Sequence, residues 1–183
     1  MAQQTVFQLR IQLKDVAPTV WRRILVPGGV RLPKLHDMFQ AAMGWTNSHL
    51  HQFTIDGATY GMHFEDWPDD ELDEKDYTVS FALRGGVRRF SYEYDFGDSW
   101  SHEVVVEQTS FPQLSLKFGV CIDGQNACPP EDVGGVHGYG GFLEALADPT
   151  HEEHDDYLVW VGYKFDPTAF DLATANAALQ RLR

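Results

Sequence analysis

The 183-residue sequence is poor in cysteine and in positive charge. Only Cys121 and Cys128 are present, and their spacing matches neither a redox Cys-x-x-Cys pair nor half of a zinc ribbon. We expect reduced thiols, and the alternatives are a short-loop disulfide or a pair of metal ligands. No apolar run approaches the roughly 20 residues of a membrane-spanning helix. The N-terminus also lacks the basic start and apolar region of a signal peptide. These absences predict a cytoplasmic protein without a membrane segment.

Positive charge is scarce, with 14 Lys and Arg against 27 Asp and Glu, a net charge of −13. That balance argues against a generic phosphate-binding protein, because such affinity comes from Lys and Arg that displace counterions. The acids concentrate in segments 65–76 and 151–156, whereas residues 1–34 are locally basic. We interpret both acidic segments as solvated loops, including the turn that carries His151 and His154, with cation binding as the alternative.

The common catalytic signatures are missing as well. The sequence has no Gly-x-Ser-x-Gly elbow, no Walker loop, no dinucleotide fingerprint and no His-Glu-x-x-His helix. These absences leave open whether the protein is an enzyme.

What is present is a set of alternating and helical patterns. Segment 5–13 alternates apolar and polar residues as a half-buried strand does, and 19–26 predicts its hairpin partner with Arg residues on the outer face. Segment 32–43 has helical spacing before a capping Gly44, and Asp56-Gly57 predicts a tight hairpin turn. Further strands are predicted over 77–83, 88–96 and 102–108, a long ordered loop over 110–138, and helices over 138–148 and from Pro167 to the C-terminus, capped by Asp166.

Strands interrupted by one helix and followed by helices are typical of an α+β fold. We therefore predict a single domain over residues 1–183, with a mostly antiparallel sheet of roll type, one helix in the N-terminal half, the long loop and C-terminal helices.

Several long phrases resemble one protein family. PTVWRRILVP, LHDMFQAAMGWTNSHLHQF, YEYDFGDSWSHEV, CPPEDVGGVHGYGGFLEAL and DPTHEEHDDY occur in the order found in the plasmid pRiA4b ORF-3-like family. The resemblance extends from about residue 5 to the C-terminus. It implies a mixed α+β roll and an association with plasmids and insertion sequences, and it leaves the chemistry open.

His, Asp and Glu concentrate in these same phrases. His49 and His51 would share a face of an extended segment, and Asp95, Asp98 and His102 lie within eight residues around Gly97. This set suits a divalent metal such as Zn, Mn or Mg, whereas the alternative is ordinary hydrogen bonding, with the two Asp side chains closing a turn.

Glu131 and Asp132 lie between two prolines and two glycines. The prolines restrict the backbone and the glycines allow close approach to another segment, so we expect both carboxylates to be held in place. They are candidates for activating water beside a metal, and the alternative is capping of the helix that follows.

Three functions remain open. The favoured one is an accessory or binding module of a mobile element that contacts nucleic acid or a protein partner. The alternatives are a metal-binding, hydrolase-like protein and a purely structural polar network. The candidate contacts of the binding module are Arg10, Arg22, Arg23 and Trp100.

Overall fold

The computed structural model describes residues 5–62, 71–109 and 116–182. Its strands are β1 (Val6–Leu13), β2 (Trp21–Pro27), β3 (His51–Ile55), β4 (Ala58–Gly61), β5 (Leu72–Asp73), β6 (Arg89–Tyr94), β7 (Trp100–Thr109) and β8 (Val120–Gln125). Its α-helices are α1 (Leu32–Met43), α2 (Val79–Ala82), α3 (Gly135–Ala147), α4 (His154–Val161) and α5 (Leu172–Arg181). Short 3₁₀ turns cover Glu74–Asp76 and Arg84–Gly86.

All eight strands form one sheet, in the order β5-β4-β3-β6-β7-β1-β2-β8. Neighbouring strands are antiparallel, except for the parallel pair β4 and β5. The prediction of an α+β fold built on a mostly antiparallel sheet is confirmed.

Helix α1 buries its apolar side in the main core. The ring of Phe39 contacts those of Phe53 on β3 and Tyr92 on β6. Gly44 ends the helix in the left-handed region, with φ of 107°, and its backbone N–H donates to the carbonyl of Gln40. This conformation is the one that favours glycine after a helix, so the predicted helix and its cap are both confirmed.

The β3–β4 hairpin turns at Asp56 and Gly57, both with positive φ, as the sequence predicts. Three other expectations are wrong. Segment 77–83 forms α2 instead of a strand, because Thr78 caps a helical turn by accepting from the N–H of Phe81. Strand β8 lies inside the predicted long loop, of which residues 110–115 lie outside the described part. The last helix starts at Leu172 and is capped by Asp171, whereas Asp166 closes a separate turn with Thr168.

Candidate metal centre

Three segments that are far apart in the sequence meet beside the end of α1. The loop after α1 is joined to the segment before α3 by the indole N–H of Trp45, which donates to the carbonyl of Pro129 at 3.1 Å. The same loop is joined to the β6–β7 turn by the backbone N–H of Asp95, which donates to the carbonyl of Leu50 at 2.8 Å. One side chain from each segment converges at this junction.

These side chains are His49, Asp95 and Asp132. The Nε2 atom of His49 lies 3.1 Å from a carboxylate oxygen of Asp132 and 3.6 Å from one of Asp95. The three potential ligand atoms all lie within 4.8 Å of one another. The Asp95 side chain is 8% exposed and that of Asp132 is 70% exposed, so the cluster reaches from the interior to the surface.

The Nε2 atom of His49 is buried, yet it has no hydrogen-bond partner with acceptable geometry among the described residues. A buried polar atom without a partner is costly. Metal–ligand bonds of about 2.0–2.2 Å would place neighbouring ligand atoms roughly 3.0–3.5 Å apart, close to the two distances found here. The geometry is therefore compatible with a cation held between one imidazole and two carboxylates.

The backbone conformation orients the carboxylates of Asp95 and Asp132. Asp95 and Asp132 have φ of 57° and 58°, in the left-handed region that non-glycine residues seldom occupy. The second carboxylate oxygen of Asp95 accepts from the backbone N–H of Gly97 at 3.0 Å, which leaves its partner oxygen for His49. Such unusual backbone conformations are frequent at functional sites.

Asp98 lies in the same turn but does not join the cluster. Its carboxylate accepts from the backbone N–H of Gly134 at 3.1 Å. A Cβ atom on Gly135 would lie 2.5 Å from the Asp98 carbonyl oxygen, so this glycine permits the close approach that the sequence predicts. Asp98 therefore fixes the segment that carries Asp132.

Glu131 fastens the junction. One of its carboxylate oxygens accepts from the backbone N–H of Thr46 at 2.7 Å and from the hydroxyl of Tyr94 at 3.0 Å. The Tyr94 hydroxyl in turn accepts from the backbone N–H of Ser48. Burial raises the pKa of Tyr94, and the adjacent Glu131 carboxylate contributes in the same direction. Glu131 is thus held in place, as expected, by partners that the sequence did not indicate.

His51 lies apart from the His49 cluster. Its Nε2 atom lies 2.9 Å from a carboxylate oxygen of Glu74, and both side chains are almost fully buried. Its ring stacks on that of His36 with centroids 3.4 Å apart. The expectation that His49 and His51 present their imidazoles to one metal is wrong, because β3 begins at His51 and turns it into the interior. The buried Glu74 also corrects the interpretation of segment 65–76 as a solvated loop, of which residues 65–70 lie outside the described part.

His36 continues this buried network. Its two ring nitrogens contact the Tyr92 hydroxyl at 2.8 Å and the side-chain oxygen of Asn47 at 2.6 Å. Gln40 donates to the same hydroxyl and accepts from the backbone N–H of Asn47. Burial, reinforced by the nearby His51, lowers the pKa of His36 to about 3, so this ring is neutral at pH 7.

His102 and Trp100 lie in the core. Both side chains are fully buried, because every second residue of a strand points to the same face, and Trp100, His102 and Val104 share the inner face of β7. One ring nitrogen of His102 contacts the carbonyl of Tyr92 at 3.2 Å, and burial lowers its pKa to about 3. The predicted roles of His102 as a metal ligand and of Trp100 as a surface contact are therefore corrected.

The arginine residues of the first hairpin divide between two faces. Arg22 is 2% exposed, donates to the carbonyls of Ala42 and Gln125, and lies over the ring of Phe170. The expectation that Arg22 lies on the outer face is wrong, because Arg22 and the buried Ile24 are two residues apart and so point to the same face of β2. Arg10 and Arg23 do face outward, and their guanidinium groups lie 4.9 Å and 5.2 Å from the centre of the Trp21 ring.

The remaining sequence candidates take structural positions. His154 starts α4 and contacts the carbonyl of Ala145 at 2.8 Å, whereas His151 accepts from the N–H of Glu153 in the preceding turn. Cys121 and Cys128 are free thiols, and burial raises the pKa of each. Neither pair belongs to the His49 cluster.

A cleft of about 620 Å³ opens beside the cluster. Its lining includes His49, the buried pair His51 and Glu74, and Lys75. Leu50 and Met62 add exposed apolar surface at its edge.

No helix of the described residues is long and apolar enough to cross a membrane.

Together, the fold and the site define an α+β sheet protein with one imidazole and two carboxylates converging beside a cleft. The chain belongs to the plasmid pRiA4b ORF-3-like protein family, whose sequence model it matches over residues 5–174. It is 41% identical over 180 residues to the uncharacterised protein y4hQ of Sinorhizobium fredii, covering 97% of this chain and 92% of that protein. The crystal structure of a protein of unknown function, MM3350 from Methanosarcina mazei Go1, superposes with a TM-score of 0.84 at 34% identity, covering 94% of this chain and 98% of that one.

Proposed function

We propose that this protein binds a divalent metal ion through His49, Asp95 and Asp132. The observation that carries the proposal is the convergence of three ligand atoms within 4.8 Å, one of them a buried imidazole nitrogen without a hydrogen-bond partner among the described residues. When the lone pair of Nε2 faces the two carboxylates, the three groups repel one another. A bound cation removes that repulsion and satisfies all three groups.

The ligand set favours a transition-series ion. Imidazole nitrogen suits Zn²⁺ and related ions better than Mg²⁺ or Ca²⁺, which prefer oxygen ligands throughout. Two carboxylates beside one imidazole also suit Mn²⁺. We therefore expect Zn²⁺ or Mn²⁺ to bind more tightly than Mg²⁺.

Three protein ligands leave coordination positions for water, the arrangement typical of catalytic rather than structural zinc sites. A metal held there would lower the pKa of a bound water beside the cleft, and this chemistry supports hydrolysis of a substrate lying in it. Asp132 then acts as a ligand. Glu131 lacks support as the base that activates water, because Thr46 and Tyr94 already occupy its carboxylate.

An accessory role in binding nucleic acid has weaker support. Of the outward-facing arginines, Arg23 contacts the carboxylates of Glu107 at 2.6 Å and Asp123 at 3.0 Å, so its charge is already compensated. A phosphate would have to compete with both carboxylates. We therefore favour metal binding by His49, Asp95 and Asp132 over nucleic-acid binding by the Arg10 and Arg23 surface.

The test is elemental analysis of protein purified without a histidine tag, combined with calorimetric titration of Zn²⁺ and Mn²⁺ into chelator-treated protein. We expect about one equivalent of metal in the wild type and a loss of at least tenfold in affinity in His49→Gln. His137→Gln, which changes an exposed histidine outside the cluster, is the matched control and should bind as the wild type does. Equal affinity of the wild type and His49→Gln would overturn the proposal.

A further inference from the structure

Helix α4 presents an unusual amount of apolar surface. None of its residues is fully buried. Val159 is 81% exposed and Trp160 46% exposed, and Tyr163 just after the helix is 59% exposed. Clustered exposed aromatic and aliphatic side chains of this kind are typical of interaction sites.

Two cavities flank Trp160. The first, of about 270 Å³, has apolar walls formed by Val133, Tyr157 and Trp160, and its other lining residues are Asp132, Glu153 and Asp156. The second, of about 380 Å³, lies on the side of Tyr163 and includes Glu131. Among the described residues, neither cavity is lined by a lysine or an arginine. We call the two cavities and the Trp160 ring between them the α4 groove.

The negative charge extends beyond the cavities. Segment 151–156 carries four acids, and no lysine or arginine occurs from residue 118 to residue 163. The helix dipole favours Asp155 and Asp156 in the first turn of α4. It gives no reason for aromatic side chains to remain exposed beside them.

Aromatic faces next to carboxylates are the surroundings that a lysine or arginine side chain prefers. The aliphatic stem packs on the ring, and the charged head reaches the carboxylates or lies over the ring face. We infer that the α4 groove binds a basic peptide segment of a partner protein, with a lysine or arginine inserted against Trp160 and paired with Glu153 and Asp156. Charge complementarity selects this occupant over an acidic or purely apolar one.

The inference goes beyond metal binding, and its test leaves all three proposed ligands unchanged. The probe is a fluorescein-labelled hexa-arginine peptide, followed by fluorescence anisotropy at about 0.15 M salt with EDTA present. Hexa-glutamate serves as the probe of opposite charge. The double variant Glu153→Gln/Asp156→Asn should weaken hexa-arginine binding about tenfold, because two ion pairs beside an aromatic wall are lost.

The control variant is Glu144→Gln/Asp56→Asn, which removes the same charge from exposed positions outside the groove. We expect less than a twofold change for this control, and about a fivefold weakening for Trp160→Ala. Equal weakening by the two double variants would mean nonspecific attraction to an acidic protein and would overturn the inference. So would binding of hexa-glutamate with similar affinity.

A second copy of the chain is the competing occupant. Sedimentation velocity of the wild type and of Trp160→Ala distinguishes the two cases. We expect both to sediment as the same species, and a dimer that Trp160→Ala dissociates would overturn the inference. The metal content of Glu153→Gln/Asp156→Asn should equal that of the wild type, so failure of the groove and failure of the metal site are separable.

Discussion

His49 and His51 are two residues apart, and their surroundings differ in kind. His51 is paired through Nε2 with the buried carboxylate of Glu74 and stacks on His36, and its Nδ1 atom is buried without a hydrogen-bond partner among the described residues. His49 lies at the edge of the cleft between two carboxylates, with a buried nitrogen that has no hydrogen-bond partner in the described part of the chain. Each ring therefore keeps one unpartnered nitrogen, and what distinguishes His49 is that two carboxylates face this nitrogen at the edge of a cleft.

The largest effect that we predict is a loss of stability of the buried histidine region in acid. His36 and His102 have folded-state pKa values lowered to about 3, while an unfolded histidine has a pKa of about 6.5. The unfolded chain therefore binds more protons as the pH falls from 6.5 towards 3, and stability declines over that range. Each residue should cost about 2 kcal/mol at pH 5 relative to pH 8.

Urea unfolding in EDTA at both pH values measures this loss, which should total about 4 kcal/mol from the two histidines. His102→Gln should show about half of that pH dependence. An unchanged dependence in this variant would show that His102 takes up protons as readily in the folded chain as in the unfolded chain.

The next effect concerns the hydroxyl at the centre of the network. Tyr92→Phe leaves the partner atoms of His36 and Gln40 unpaired in the interior. We expect a loss of about 2–3 kcal/mol in the free energy of unfolding, with metal affinity within twofold of the wild type. Tyr163→Phe at the surface is the control. A large change in metal affinity would mean that the two histidine regions are coupled.

Glu131 accepts a hydrogen bond from Tyr94, whose ring contacts both His49 and His36. The variant Glu131→Gln therefore tests whether the His49 cluster and the buried His36 network depend on each other. The carboxamide keeps one acceptor oxygen but loses the charge-assisted bonds to Thr46 and Tyr94. We predict a loss of about 1–2 kcal/mol in stability, measured by urea unfolding. Metal affinity should fall less than in His49→Gln, and an equal or greater fall would make Glu131 itself a ligand.

The smallest effect on stability belongs to Asp132. Its side chain is 70% exposed, so Asp132→Asn should change the free energy of unfolding by no more than about 0.5 kcal/mol in EDTA. The same variant should bind Zn²⁺ at least tenfold more weakly in calorimetric titration. A clear loss of stability without metal would indicate that the ion pair with His49 has a structural role.

Much of the fold was predictable because local patterns determine it. The alternation in β1, the helical spacing of α1 before Gly44 and the Asp56-Gly57 turn all form as predicted. The same alternation also indicates which polar residues of a strand are buried. Arg22 shares the parity of Ile24, and His102 that of Trp100 and Val104, so both could have been assigned to the interior.

The site was predictable only in part. The sequence singled out His49, Asp95 and Asp132, but not the separation of His49 from His51 or the partnership of His51 with Glu74. Those arrangements depend on contacts between distant segments, such as that of Trp45 with Pro129, which spacing along the chain does not encode. An acidic run likewise gives no sign that one of its members, Glu74, is buried.

The most direct test of the central claim compares the two histidines in one spectrum. Long-range ¹H–¹⁵N correlations of the imidazole rings, recorded during a Zn²⁺ titration at pH 7.5, report the state of each ring nitrogen. We predict that Nε2 of His49 moves to the shift of a metal-bound nitrogen at one equivalent, while the signals of His51 change little. Signals of the His49 ring nitrogens that do not shift on addition of Zn²⁺ would contradict the account.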